Sequence, residues 1–138
     1  MVIQQISIFL ENAAGRLAEV TRVLKDGGVN LRAIMIADTA DFGILRIIVD
    51  NPDKALRILG DAQFTVKTTD VLSVTVKDSV GSLADVLALF EQNGINIEYL
   101  YAALEKIGET AVVIFKVEDL DKGLSVVKAH GLGPAATF

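Results

Sequence analysis

At 138 residues, with 51% hydrophobic and 22% charged side chains, the chain can fill one ordinary domain or two very small ones. It has no cysteine and a single histidine, which excludes a disulfide framework and thiolate chemistry and argues against a metal centre. The net charge of −5 is uneven: residues 1–69 carry 8 basic and 8 acidic side chains, residues 70–138 carry 5 and 10.

All five arginines (Arg16, Arg22, Arg32, Arg46, Arg57) lie in the first half, and no basic patch of the kind that tracks phosphates is evident, so nucleic acid is not an expected partner. No apolar run approaches the roughly 18 residues of a membrane span. The opening MVIQQIS lacks the basic start and cleavage site of a signal peptide. The expectation is a cytoplasmic protein without a membrane partner, without a cofactor and without a bound metal.

In chain order, Ile6, Ile8 and Leu10 alternate with Gln5, Ser7 and Phe9, the period of a half-buried strand over 2–10. A turn at 11–14 follows, with Asn12 as the expected N-cap of a helix reaching about Asp26. Leu17, Val20 and Leu24 share one face of that helix, and Gly27-Gly28 ends it. Residues 29–37 and 42–49 read as strands joined by a turn at Asp38 to Asp41. Asn51-Pro52 opens a second helix, and residues 63–68 form a short fourth strand.

The second half repeats this order. ISIFLENAAGRLAEVTRVLKDGGVN (Ile6–Asn30) superimposes without a gap on LSVTVKDSVGSLADVLALFEQNGIN (Leu72–Asn96) at a shift of 66 residues. Gly15 falls on Gly81, Leu17 on Leu83, Gly28 on Gly94 and Asn30 on Asn96. A repeat of this length implies a duplicated domain. Residues 95–103 and 110–117 form the second middle hairpin, 120–129 a helix weakened by Gly123, and Leu132 to Phe138 a last strand.

The fold class is therefore α+β: two ferredoxin-like βαββαβ units, antiparallel sheets with helices on one face, at 1–69 and 70–138 and linked only by about Thr68 to Asp70. Leu45, Ile47 and Val49, matching Val113, Phe115 and Val117, should face the helices. The opposite set (Ile44, Arg46, Ile48; Val112, Ile114, Lys116) is too apolar for a solvated face, so burial against another unit or chain is expected.

The glycine after the first strand, the L-A-x-V opening of the helix and the closing G-[VI]-N-[LI] resemble the ACT domain in both copies, and IADTADFGILRIIV resembles the middle hairpin of small stand-alone tandem ACT proteins. The resemblance implies a regulatory, non-catalytic module that binds a free amino acid at the interface between units. The loop before the helix of one unit would face the second strand of another. The apolar sheet faces point to packing within the chain together with a homodimer, and the regulatory role implies an amino-acid metabolic enzyme as a partner. The family's loop usually carries proline before the glycine; Ala14 and Val80 stand there in this chain.

The chemistry of such a loop suits an amino acid. Unpaired N–H groups and the positive dipole end of a helix attract a carboxylate, and Gly15 and Gly81 let a ligand approach the backbone. The candidate positions in the first loop are Asn12, Ala13, Ala14, Gly15, Arg16 and Leu17; in the second they are Val80, Gly81, Ser82 and Leu83. Asn30 and Asn96, which offer donors and an acceptor together, are expected at the same end of the sheet as the loops. Ile36, Ala37 and Asp38, and Tyr99 and Tyr101, are the candidate strand contacts.

Each of these positions also has a purely structural reading: a tight turn for the glycines, a cap for the asparagines, a solvated first-turn residue for Arg16, interface packing for the tyrosines. His130 reads as a residue at a helix end. On charge, a ligand carboxylate prefers the first loop, which has an arginine where the second has Ser82, and Asn12 where the second has Asp78. Asn12, Gly15, Arg16 and Leu17, completed by a strand of a neighbouring unit, form the expected better site. Two other functions fit the residues less well. One is an oligomerisation or protein-interaction unit with a vestigial site. The other is an acylphosphatase-like enzyme, for which Gly15-Arg16 is the only echo and the glycine-rich phosphate cradle is missing.

Overall fold

The computed structural model describes residues 1–38 and 41–133. Among these residues the order is β1 (Val2–Glu11), α1 (Arg16–Asp26), β2 (Leu31–Asp38), β3 (Phe42–Val49), α2 (Pro52–Asp61), β4 (Thr65–Lys77), α3 (Ser82–Gln92), β5 (Ile97–Ile107), β6 (Thr110–Val117) and α4 (Leu120–Ala129). The chain is α+β and divides into two compact units, Gln4–Thr69 (the first unit) and Asp70 onward together with Met1–Ile3 (the second unit).

In the first unit β3 is hydrogen-bonded antiparallel to β1 on one side and β2 on the other, with Glu11 opposite Phe42 and Ile6 opposite Ile47. The strand periodicity sends Ile6, Ile8, Leu10, Leu45, Ile47 and Val49 into one core, where they meet Val20 and Leu24 of α1 and Ala55 and Leu59 of α2. Both helices therefore lie on one face of the sheet. The second unit repeats the pattern: β6 lies between β4 and β5, and Val74, Val113, Phe115 and Val117 pack with Val86, Phe90 and Val127. Phe90 and Phe115 meet edge to face, 5.2 Å between centroids and 85° between planes. On the other sheet faces Ile48, Val112 and Ile114 are buried, and Ile44, Arg46 and Lys116 are half-buried.

Several local expectations change. The segment around Thr68 to Asp70 is not a loop. It lies inside one continuous 13-residue strand, because its β-branched run has neither glycine nor proline to break it. Asn12 does not cap α1; the N-cap is Gly15, without a side-chain cap bond. Gly123 sits in α4 for a packing reason: a Cβ there would lie 2.8 Å from Leu72 Cδ1 and 3.1 Å from Val117 Cγ2. The caps of α2 and α4 are conventional, with Asn51 Oδ1 accepting from the Lys54 N–H at 3.1 Å and Asp119 Oδ1 from the Lys122 N–H at 3.0 Å. Of the last expected strand only Leu132 and Gly133 are described, and the Leu132 carbonyl accepts from the Thr75 N–H at 2.8 Å; 134–138 lie outside the described residues, as does Thr39 of the first hairpin turn.

Candidate functional site

The strand-to-helix loop of the first unit is built by one backbone torsion. Gly15 has φ 87°, in the left-handed region, which turns the chain off β1 into α1. A Cβ there would meet nothing within 4 Å, so conformation and not crowding requires the glycine. The loop is tied back to the middle hairpin by the Asn12 N–H, which donates to the Asp41 carbonyl at 3.0 Å. The first helical bond runs from the Glu19 N–H to the Gly15 carbonyl at 2.9 Å. Ahead of it the Arg16 N–H donates to the Ala13 carbonyl at 3.3 Å, and the Leu17 and Ala18 N–H groups have no acceptor one turn back along the helix.

Under this loop lies a cleft of about 190 Å³ lined by Leu10, Glu11, Asn12, Ala13, Leu17, Ile36, Asp38 and Gly43. Leu10, Leu17 and Ile36 supply its large apolar side chains, and Glu11, Asn12 and Asp38 its polar ones. The register explains the lining: Ile36 stands opposite Leu45 and Asp38 opposite Gly43, so the end of β2 comes beside the end of β1 across β3. Gly43 is what keeps the space open, since a Cβ there would lie 3.3 Å from Ile36 Cδ1. Of the positions chosen from the sequence, Asn12, Ala13, Leu17, Ile36 and Asp38 thus come together within one unit. Leu10 and Gly43 were missed; a lone glycine in the Ile-rich run of β3 was the available signal.

The other positions lie elsewhere. Ala14 is exposed on the loop, and Ala37 is exposed at the end of β2 opposite Ile44. The Arg16 side chain turns away from the loop cleft: its Nη1 lies 2.5 Å from Glu19 Oε2 and its guanidinium carbon 5.1 Å from the centre of the Phe64 ring. Asn30 does not return to the loop. Its N–H donates to Asp50 Oδ1 at 3.0 Å, beyond Val49 at the far end of β3, whereas the loop lies at the Phe42 end, roughly 23 Å away for seven residues of strand. Asn96 sits likewise, its carbonyl accepting from the Glu118 N–H at 3.0 Å. The expectation that these asparagines share an end with the loops is corrected by the direction of the helix: α1 and α3 run back along the sheet and deliver the chain to the opposite end.

Tyr99 and Tyr101 stand opposite Lys116 and Ile114, on the sheet face away from the helices, after a bulge between Ile97 and Tyr99; Tyr101 is buried and Tyr99 half-buried. In the second loop Gly81 repeats the left-handed torsion at φ 85°, Val80 is fully exposed, Leu83 is exposed, and Ser82 Oγ lies 2.6 Å from Ser79 Oγ. There Lys106 is ion-paired with Asp78. By register Lys106, opposite Ala111, holds the place that Asp38, opposite Gly43, holds in the first unit.

Among the described residues no group of three or more His, Asp or Glu side chains is arranged to hold a metal ion, and no helix is long and apolar enough to cross a membrane.

The chain is similar to a protein from Bacteroides thetaiotaomicron, BT0572, at 44% identity and a TM-score of 0.89 over 96% of this chain and 91% of that one. It shares its fold with the regulatory subunits of aspartate kinase from Thermus thermophilus, in a ligand-free form (18% identity, 94% of each chain, TM-score 0.65), and from Thermus flavus (16% identity, 94% of each chain, TM-score 0.64). No curated protein matches. The family described as an ACT domain pair matches residues 1–133. The chain belongs to the ACT domain pair family.

Proposed function

We propose that the chain is a non-catalytic regulatory module that binds a small free amino acid in the loop cleft of its first unit. The carrying observation is the lining of that cleft: acidic acceptors, Asp38 and Glu11, and an amide, Asn12, beside an apolar surface made by Leu10, Leu17 and Ile36. An amino acid needs donors for its carboxylate, an acceptor for its ammonium and a surface for its side chain. The helix N-terminus, Asp38 and the apolar surface meet those needs in turn. The volume of about 190 Å³ lies below the roughly 300–1,000 Å³ of sites for drug-sized ligands, which favours a small side chain.

The cleft is exposed, and a strand from a neighbouring unit completes it in this reading. Binding then favours the docked state of the units and biases an assembly, a homodimer in the cytoplasm that acts on an amino-acid metabolic enzyme or serves as a sensor. The fold shared with aspartate kinase regulatory subunits supports the regulatory part of the reading. The Lys106–Asp78 ion pair supports a single working site per chain, because it places a charged pair where the ligand's own charges would go.

Thermal unfolding and calorimetry against each standard amino acid test this. A ligand at a hundred times its Kd adds about 2.7 kcal/mol to stability and raises Tm. No heat and no rise in Tm with any of them would overturn the reading.

A further inference from the structure

We propose that a second cleft in the first unit, where β1, α1 and the start of β4 meet, binds a small aromatic carboxylate; it shares Glu11 with the loop cleft and is otherwise lined by different residues. This cleft measures about 450 Å³, within the roughly 300–1,000 Å³ of small-molecule sites, and Phe9, Phe42, Phe64, Arg16, Glu11 and Gln63 line it.

Two of its three rings, Phe9 and Phe42, are not core packing. Phe9 is 51% exposed and Phe42 53%. Phe42 stands opposite Glu11 and Phe9 opposite Ile44, so the two rings are diagonal neighbours on one sheet face, a spacing aromatic side chains reach across. Two neighbouring exposed rings form an apolar surface with a use for a flat partner. Phe64, only 6% exposed, forms the floor, and the Arg16 guanidinium lies over its ring.

Stacked in this way, a guanidinium keeps the donors along its edge for an anion. Glu19 takes Nη1, while Nε is buried and has no acceptor. Buried N–H groups without partners are rare, and a carboxylate entering the cleft would let Arg16 turn and satisfy its donors in a two-point pair. Beside it, Gln63 takes φ 67° as the left-handed residue that ends α2, its N–H donating to the Gly60 carbonyl at 2.9 Å, and this turn delivers Phe64 to the cleft.

The second unit shows that the fold does not dictate this lining. At the matching place its cleft is lined by Thr75, Lys77, Ser82, Thr110 and Leu132, with no ring and no guanidinium. The chemistry required of a ligand is a flat ring for Phe9 and Phe42 and a carboxylate for Arg16. An aromatic amino acid and the analogous acid that lacks the amino group share it. Glu11 distinguishes them, because only the amino acid brings an ammonium to that carboxylate.

The test is calorimetric titration of the full chain with L-phenylalanine and with 3-phenylpropionate. At least one should saturate, and Phe42→Ala and Arg16→Gln should each weaken it about tenfold or more. Gly43→Val, which fills the loop cleft, should leave it unchanged. If Phe42→Ala disturbs folding by circular dichroism, Phe9→Ala carries the same expectation. Because Glu11 lines both clefts, its test is made in the Gly43→Val protein: tighter binding of L-phenylalanine there that Glu11→Gln abolishes identifies the amino acid, and equal binding of both probes identifies the bare acid. No saturation by either probe at about 10 mM overturns the proposal. So does binding that Gly43→Val removes while Phe42→Ala and Arg16→Gln leave it intact.

Discussion

The two glycine loops share a backbone and differ in the side chains set around it. Gly15 and Gly81 have nearly the same torsions (φ 87°, ψ −12° and φ 85°, ψ −8°). The hydrogen bonds also repeat: Asn12 N–H to Asp41 carbonyl at 3.0 Å matches Asp78 N–H to Glu109 carbonyl at 2.9 Å. The side chains diverge. The first loop sets Asn12 and Asp38 beside an apolar surface opened by Gly43, while the second sets Asp78 against Lys106 in an ion pair. The loop conformation therefore belongs to the fold, and the chemistry presented there belongs to a few positions at which the two copies differ.

Filling the first cleft should have the largest effect. Gly43→Val is expected to weaken the amino acid by a hundredfold or more, about 2.7 kcal/mol, as read by calorimetry, whereas Ala111→Val at the matching position should leave it unaffected. Next comes Asp38→Asn. Removing the charge opposite an ammonium costs about 1.5–3 kcal/mol, tenfold or more in Kd, with little change in Tm of the free protein.

Gly15→Ala and Gly81→Ala probe what the loops share. Each forces a Cβ into a left-handed torsion and should cost about 1–2 kcal/mol in urea unfolding, nearly equal in the two units. A large inequality would mean that the loops are not equivalent in conformation. The smallest effect belongs to the ion pair. Both partners are more than half exposed, so Lys106→Met should cost less than about 1 kcal/mol and lose even that in high salt.

Much of the fold was legible in residues. The alternation of Ile6, Ile8 and Leu10 and of Leu45, Ile47 and Val49 marked the faces that now form the first core. The site was legible in part. Asn12 and Leu17, expected from loop chemistry, and Asp38, expected as a strand contact from a neighbouring unit, line one cleft of a single unit, but Arg16, expected beside them, lies over Phe64 instead. A side chain's direction depends on which neighbours surround it, and Phe64 comes from 48 residues further along the chain.

The sequence by itself determined the duplication, the α+β class, the helical and strand faces and the glycine torsions. These are local or periodic properties, carried by spacing and by the absence of a Cβ. Only the tertiary structure decided that β4 runs unbroken through Asp70, that Asn30 and Asn96 lie at the far ends of their strands, and that Lys106 takes the place of Asp38. Those follow from strand register and helix direction, which arise when segments distant in the chain pair, and no local pattern records them.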